Sequence, residues 1–167
     1  RGDTMNLKTF YINSLRIQYQ EAQLEDSIFD KCYLIENVYN DSIVAIPDGG
    51  LDFQFVWENG VCRGYICGSF LKSKFSKIST YQKCFGLKLH PGTLFTFMEQ
   101  NAIPTFIENR IPLGNFLNIS HLEALLMRQA SFPDMIHAAL QFFHQLPLFP
   151  SHYIANCAAD MILASSG

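Results

Sequence analysis

Between residues 51 and 57 large apolar side chains alternate with polar ones. Leu51, Phe53, Phe55 and Trp57 fall on one side, Asp52 and Gln54 on the other. A period of two predicts a half-buried β-strand, and its aromatic face needs an apolar surface opposite. The same reading predicts strands at residues 15–20, 32–36, 43–46, 61–70 and 85–90. The turns between them have their own chemistry. Pro47-Asp48-Gly49-Gly50 suits a tight reversal, because proline presets its backbone angle and glycine accepts positive φ. Asn59-Gly60 after Glu58 suits a type I′ hairpin turn. Gly64 and Gly68 interrupt the returning strand and mark bulges or close approaches. Lys72, Lys74 and Lys77 read as the guard of a solvated sheet edge rather than an anion site. About six or seven strands with frequent turns predict a sandwich or small barrel.

The period then changes. Leu94, Phe97 and Met98 share one face of a short helix. Ser120-His121-Leu122-Glu123 has the form of a capping box, with Leu122, Leu125 and Leu126 following at helical spacing. Ser131-Phe132-Pro133-Asp134 opens a second helix, whose stripe is Met135, Ile136, Ala139, Leu140 and Phe143. Pro147 ends it. Pro150-Ser151 starts a third, with Ile154, Ala158, Met161 and Ile162 on one face. Phe142 and Leu146 widen the apolar surface of the second helix beyond one stripe. Two readings follow: both stripes pack on the sheet with nothing left over, or the extra width is a two-fold dimer contact at Leu125, Leu140, Phe142, Phe143 and Leu146.

Composition narrows the classes. The 167 residues fit one domain with an appended element, and 49% hydrophobic against 16% charged residues excludes disorder. Fifteen phenylalanines point to a β-rich core. A net charge of −3 offers no basic footprint for nucleic acid. Five cysteines without Cys-x-x-Cys spacing read as reduced, buried thiols of a cytoplasmic protein. No apolar run reaches membrane-spanning length and no signal peptide opens the chain, so no membrane partner is expected. Residues 1–4 precede Met5 and are set apart from the fold.

Catalytic patterns are sparse. No His-x-His pair supports a metal, and His90 with Asp48, Asp52 or Glu99, or His137 with His144, makes no ligand set alone. No Gly-x-Ser-x-Gly elbow appears. Asp48 and Asp52 are paired acids, but the turn accounts for the first and the strand's polar face for the second. Gly49-Gly50 leads into a strand and cradles no phosphate. The expectation is therefore no enzyme, no metal and no cofactor. The aromatic row is ordinarily core; alternatively Phe53, Phe55, Trp57, Tyr65 and Cys67 line an incompletely filled barrel.

The order of these motifs resembles the N-terminal effector and dimerisation region of AraC-type bacterial transcription regulators. The resemblance rests on Pro47-Asp48-Gly49 opening a strand and on Gly86-Leu87-Lys88-Leu89-His90-Pro91-Gly92 closing another. The Pro112-Leu113 segment and the paired helices follow in the same order, and the likeness covers the chain from about Ile43 onward. His90 departs from it, standing where relatives often carry an arginine. The resemblance implies an α+β fold: a cupin-like antiparallel β-barrel or sandwich over residues 5–112, a helical dimerisation region over 113–149, and a linker helix over 150–167. It implies a small-molecule effector near Phe53, Phe55, Trp57, Tyr65 and His90, with Gln54 as a further polar anchor. It also implies a homodimer that reaches DNA only through a separate helix-turn-helix domain. A cupin-like enzyme and a dimerisation-only module with a filled core are the alternatives.

Overall fold

The computed structural model describes residues 10–12, 17–36, 42–45, 50–68, 74–77, 83–98 and 109–150. The third helix expected at 150–167, the Pro47-Asp48-Gly49 turn and Lys72 lie outside the described residues. Nine strands are described: β1 Phe10–Ile12, β2 Gln18–Gln23, β3 Phe29–Glu36, β4 Ser42–Ala45, β5 Asp52–Glu58, β6 Val61–Cys67, β7 Lys74–Lys77, β8 Lys83–Leu89 and β9 Arg110–Pro112. Two helices follow, α1 Ser120–Arg128 and α2 Phe132–Phe143. The strands make two antiparallel sheets, β1-β4-β7 and β2-β3-β8-β5-β6-β9. The expected α+β fold is present. The six-stranded sheet, however, ends in β2 and β9 and is not closed into a barrel.

Local chemistry explains the joints. The β5–β6 hairpin turns at Asn59 and Gly60, with φ of 51° and 75°, as a type I′ turn requires. Gly92 after Pro91 takes φ of 84°, which ends β8. Thr96–Met98 form a single 3-10 turn where a short helix was expected. Ser131 caps α2, its Oγ accepting the Asp134 N–H at 3.3 Å, and Pro133 sits in the first turn where no N–H is required.

The capping box expected at Ser120 does not form. Ile119 is the N-cap residue of α1 and makes no side-chain capping bond. The Glu123 carboxylate instead accepts the Gly64 N–H of β6 at 2.9 Å. A backbone donor on the sheet, in the stretch of β6 that β9 does not cover, wins the carboxylate.

The helices cover one face of the larger sheet. The Phe143 ring stacks on Phe53 with centroids 4.5 Å apart and planes 8° apart, and meets Phe29 edge-on at 5.5 Å. Phe132 meets Phe85 edge-on at 6.2 Å. Phe29, Phe53, Phe55, Phe85, Phe95 and Phe143 are fully buried together, joined by Met135, Leu122 and Leu126 from the helices. Gly64 belongs to this layer: a Cβ there would lie 2.7 Å from Ile119 Cδ1 and 2.9 Å from Phe55 Cε1. The glycine lets α1 approach the sheet.

Candidate functional site

Alternation sends Asp52, Gln54 and Val56 to the other face of β5. The cross-strand register builds a polar row there: Lys31 opposite Lys88, Lys88 opposite Asp52, Asp52 opposite Cys67, and Cys67 opposite Arg110. A second row contains Tyr33, Gly86, Gln54 and Tyr65. Tyr33, Ile35 and Val56 on this side are fully buried, and Lys31 and Lys88 are only 8% and 7% exposed. It is an interior surface of a different kind from the aromatic one.

Tyr33 is its centre. The phenol donates to Asp52 Oδ2 at 2.9 Å and accepts from Gln54 Nε2 at 2.9 Å. A Cβ built at Gly86 would lie 2.1 Å from Tyr33 Cζ and 2.4 Å from its hydroxyl oxygen, so only glycine leaves room for the phenol. Burial drives the Asp52 carboxyl up to about 6, against the downward pull of the Tyr33 hydrogen bond and Lys31. Burial, then the nearby Asp52 charge, pushes the Tyr33 phenol well above its usual range, so it stays a neutral donor. Burial, and then the charge of Lys31, draws Lys88 down to about 8. Lys31 lies 3.7 Å from Glu21.

Beside β6, where the sheet edge meets the start of α1, lies a cleft of about 510 Å³. One wall is Arg63, Gly64 and Tyr65 of β6 with Pro112 of β9. The other runs from Gly114 through Phe116 and Leu117 to Ser120 and Glu123 at the start of α1. The Arg110 guanidinium lies over the Tyr65 ring, 3.8 Å from its centroid. Arg63 Nη1 stands 3.9 Å from Glu123 Oε2.

Of the residues expected to meet a ligand, Tyr65 alone lines this cleft. Phe53 and Phe55 are sealed in the aromatic core, and Trp57 is 8% exposed with Lys83 Nζ 5.0 Å from its ring centroid. The alternation that made this face apolar is what the helices cover. Gln54 lies on the buried polar face instead. His90 lies elsewhere: its Nε2 is 2.8 Å from the Asp26 carbonyl, and Nδ1 is 3.9 Å from Asp30. It anchors the β2–β3 turn. Of the residues expected at a dimer contact, Phe143 is fully buried against Phe53, while Leu125, Leu140, Phe142 and Leu146 are half-buried at the rim of the core.

Sequence reasoning missed Tyr33, Arg63 and Arg110, and gave Glu123 a local capping role. The polar alternation of β5 pointed at Asp52 and Gln54; only cross-strand register shows that Tyr33 joins them. Cys32, Cys62 and Cys67 are pushed up to about 12 by burial, and Cys84 well above its usual value, so these thiols are not nucleophiles at neutral pH. Among the described residues no group of three His, Cys, Asp or Glu side chains is placed to hold a metal ion. No helix among them is long and apolar enough to cross a membrane. The chain matches no protein-family model and has no significant match among curated proteins or solved structures.

Proposed function

We propose that this chain is the small-molecule-sensing and dimerising domain of an AraC-type transcription regulator, with a cupin-like pairing of its two antiparallel sheets. The observation that carries the sensing role is the position of the cleft. Its occupant touches β6 on one side and the first turn of α1 on the other, so a single ligand contacts both layers of the fold. An effector must bind two forms of its receptor unequally, and a site between layers provides that difference when the layers shift.

The half-buried rim of Leu125, Leu140, Phe142 and Leu146 supplies the self-complementary surface of a two-fold contact. A helix-turn-helix domain of the parent protein makes the DNA contact in this reading, since the chain itself carries a net charge of −3.

Sedimentation tests the dimer: wild type sediments as a dimer and Phe142→Glu as a folded monomer. A wild-type monomer at high concentration removes that half of the proposal. A metabolite screen tests the sensing. At least one compound raises the melting temperature, as any ligand preferring the native state must, and shifts the Gly64 amide resonance. A screen in which nothing moves either signal leaves dimerisation as the sole role.

A further inference from the structure

The cleft carries two opposite charges that do not hydrogen-bond to each other. Glu123 uses Oε1 to accept the Gly64 N–H at 2.9 Å, which fixes the carboxylate and leaves Oε2 turned toward Arg63. The 3.9 Å from Oε2 to Arg63 Nη1 is an ion-pair distance, too long for a hydrogen bond. The Arg63 side chain is 60% exposed and Glu123 only 15%, so a solvent-facing guanidinium stands beside a held carboxylate. Around them the lining mixes the apolar Pro112, Phe116 and Leu117 with the polar Asn115, Asn118 and Ser120.

We infer that the cleft binds a small zwitterion with an apolar side group, the chemistry of an apolar or aromatic α-amino acid. Such a molecule carries a carboxylate and an ammonium on one carbon. The carboxylate takes the planar donors of Arg63 in a two-point contact. The ammonium donates to Glu123 Oε2 and the side group lies against Phe116 and Leu117. One long ion pair is thereby replaced by two hydrogen-bonded ones. A molecule bearing only the carboxylate leaves Glu123 uncompensated, and one bearing only the amine is repelled by Arg63. A volume of about 510 Å³ lies within the ordinary range for small-molecule sites. This inference rests on the cleft being the effector site.

Calorimetric titration of the 167-residue chain with L-phenylalanine and L-leucine tests it, with 3-phenylpropionate and phenethylamine as single-charge controls. The amino acids bind, and each control binds at least about tenfold more weakly, the scale of one lost charge-assisted hydrogen bond. Arg63→Ala and Glu123→Gln each weaken the amino acids by a similar factor. Glu123→Gln keeps an amide oxygen for the Gly64 N–H, so an unchanged Gly64 amide resonance shows that the fold of the cleft survives. Equal binding of a singly charged control overturns the inference, as does amino-acid binding that neither variant changes. If the amino acids are silent while a compound of another class raises the melting temperature of wild type but not of Arg63→Ala, the ligand class is wrong and the sensing role stands. If no compound does so, both fall.

Discussion

The two faces of the six-stranded sheet are both interior, yet they are built on different physics. On the helix side Phe29, Phe53, Phe55, Phe85 and Phe143 meet through ring contacts, and stability there comes from apolar area removed from water. On the other side Tyr33, Lys31 and Lys88 are buried and Asp52 and Gln54 half-buried, and directed hydrogen bonds and charges must compensate their desolvation. The first face tolerates changes of shape poorly and changes of pH well. The second is sensitive to protons. A sheet whose faces divide the work in this way can keep a rigid core while exposing chemistry at the Tyr65 end.

The largest effect is expected on the aromatic face. Phe143→Ala removes the ring that touches Phe29, Phe53, Phe55 and Phe95, and should cost about 3–5 kcal/mol in urea denaturation. A loss below 1 kcal/mol, on the order of a surface change, would mean that α2 does not hold the core.

Next come the two glycines, one for each face. Gly86→Ala drives a methyl group into the Tyr33 ring, and Gly64→Ala presses on Ile119 and Phe55. Each should cost about 1–3 kcal/mol. Only the first should alter the titration of Asp52, followed by its carboxyl carbon resonance. If both alter it equally, the faces are not independent.

A smaller effect separates the faces by pH. Asp52 titrates at about 6 in the fold, and an unfolded aspartate near about 3.9. Between these values the native chain binds a proton that the unfolded chain does not, so stability rises as pH falls from about 7 to 5. Asp52→Asn should flatten that rise in denaturation curves, whereas Phe143→Ala should lower the curve without changing its slope.

The smallest effect lies where α2 is tied to the β2–β3 turn. Asp26 Oδ1 accepts the Ile28 and Phe29 N–H groups, and Oδ2 lies 2.7 Å from His144 Nε2. Burial works against the Asp26 charge, but those N–H groups and His144 outweigh it and hold the carboxyl below 3.8. Its contribution is present above that value and is lost as pH falls through the lower folded value. His144→Ala should cost no more than about 1 kcal/mol at neutral pH, because the histidine is nearly half exposed, and should shrink the acid loss below pH ~4.

The features legible in the residue order are those that depend on neighbours along the chain. Alternation placed β5 and its aromatic face, Asn59-Gly60 and Pro91-Gly92 placed their turns, and Ser131 with Pro133 placed the start of α2. Each is a matter of local backbone preference or a period of two or 3.6, legible without any partner. Tertiary structure decided what covers each face. A period of two says that Phe53 and Asp52 point apart, but Phe143 of α2 together with Phe95 and Phe97 settles that the Phe53 side is sealed. Cross-strand register alone sets Tyr33 beside Asp52 and Gln54, 19 and 21 residues away along the chain. Glu123 shows the same limit: its spacing from Ser120 predicts a local cap, while a sheet donor 59 residues away takes the carboxylate. Hydrogen-bond partners compete across space, and a sequence presents only the competitors that are near in order.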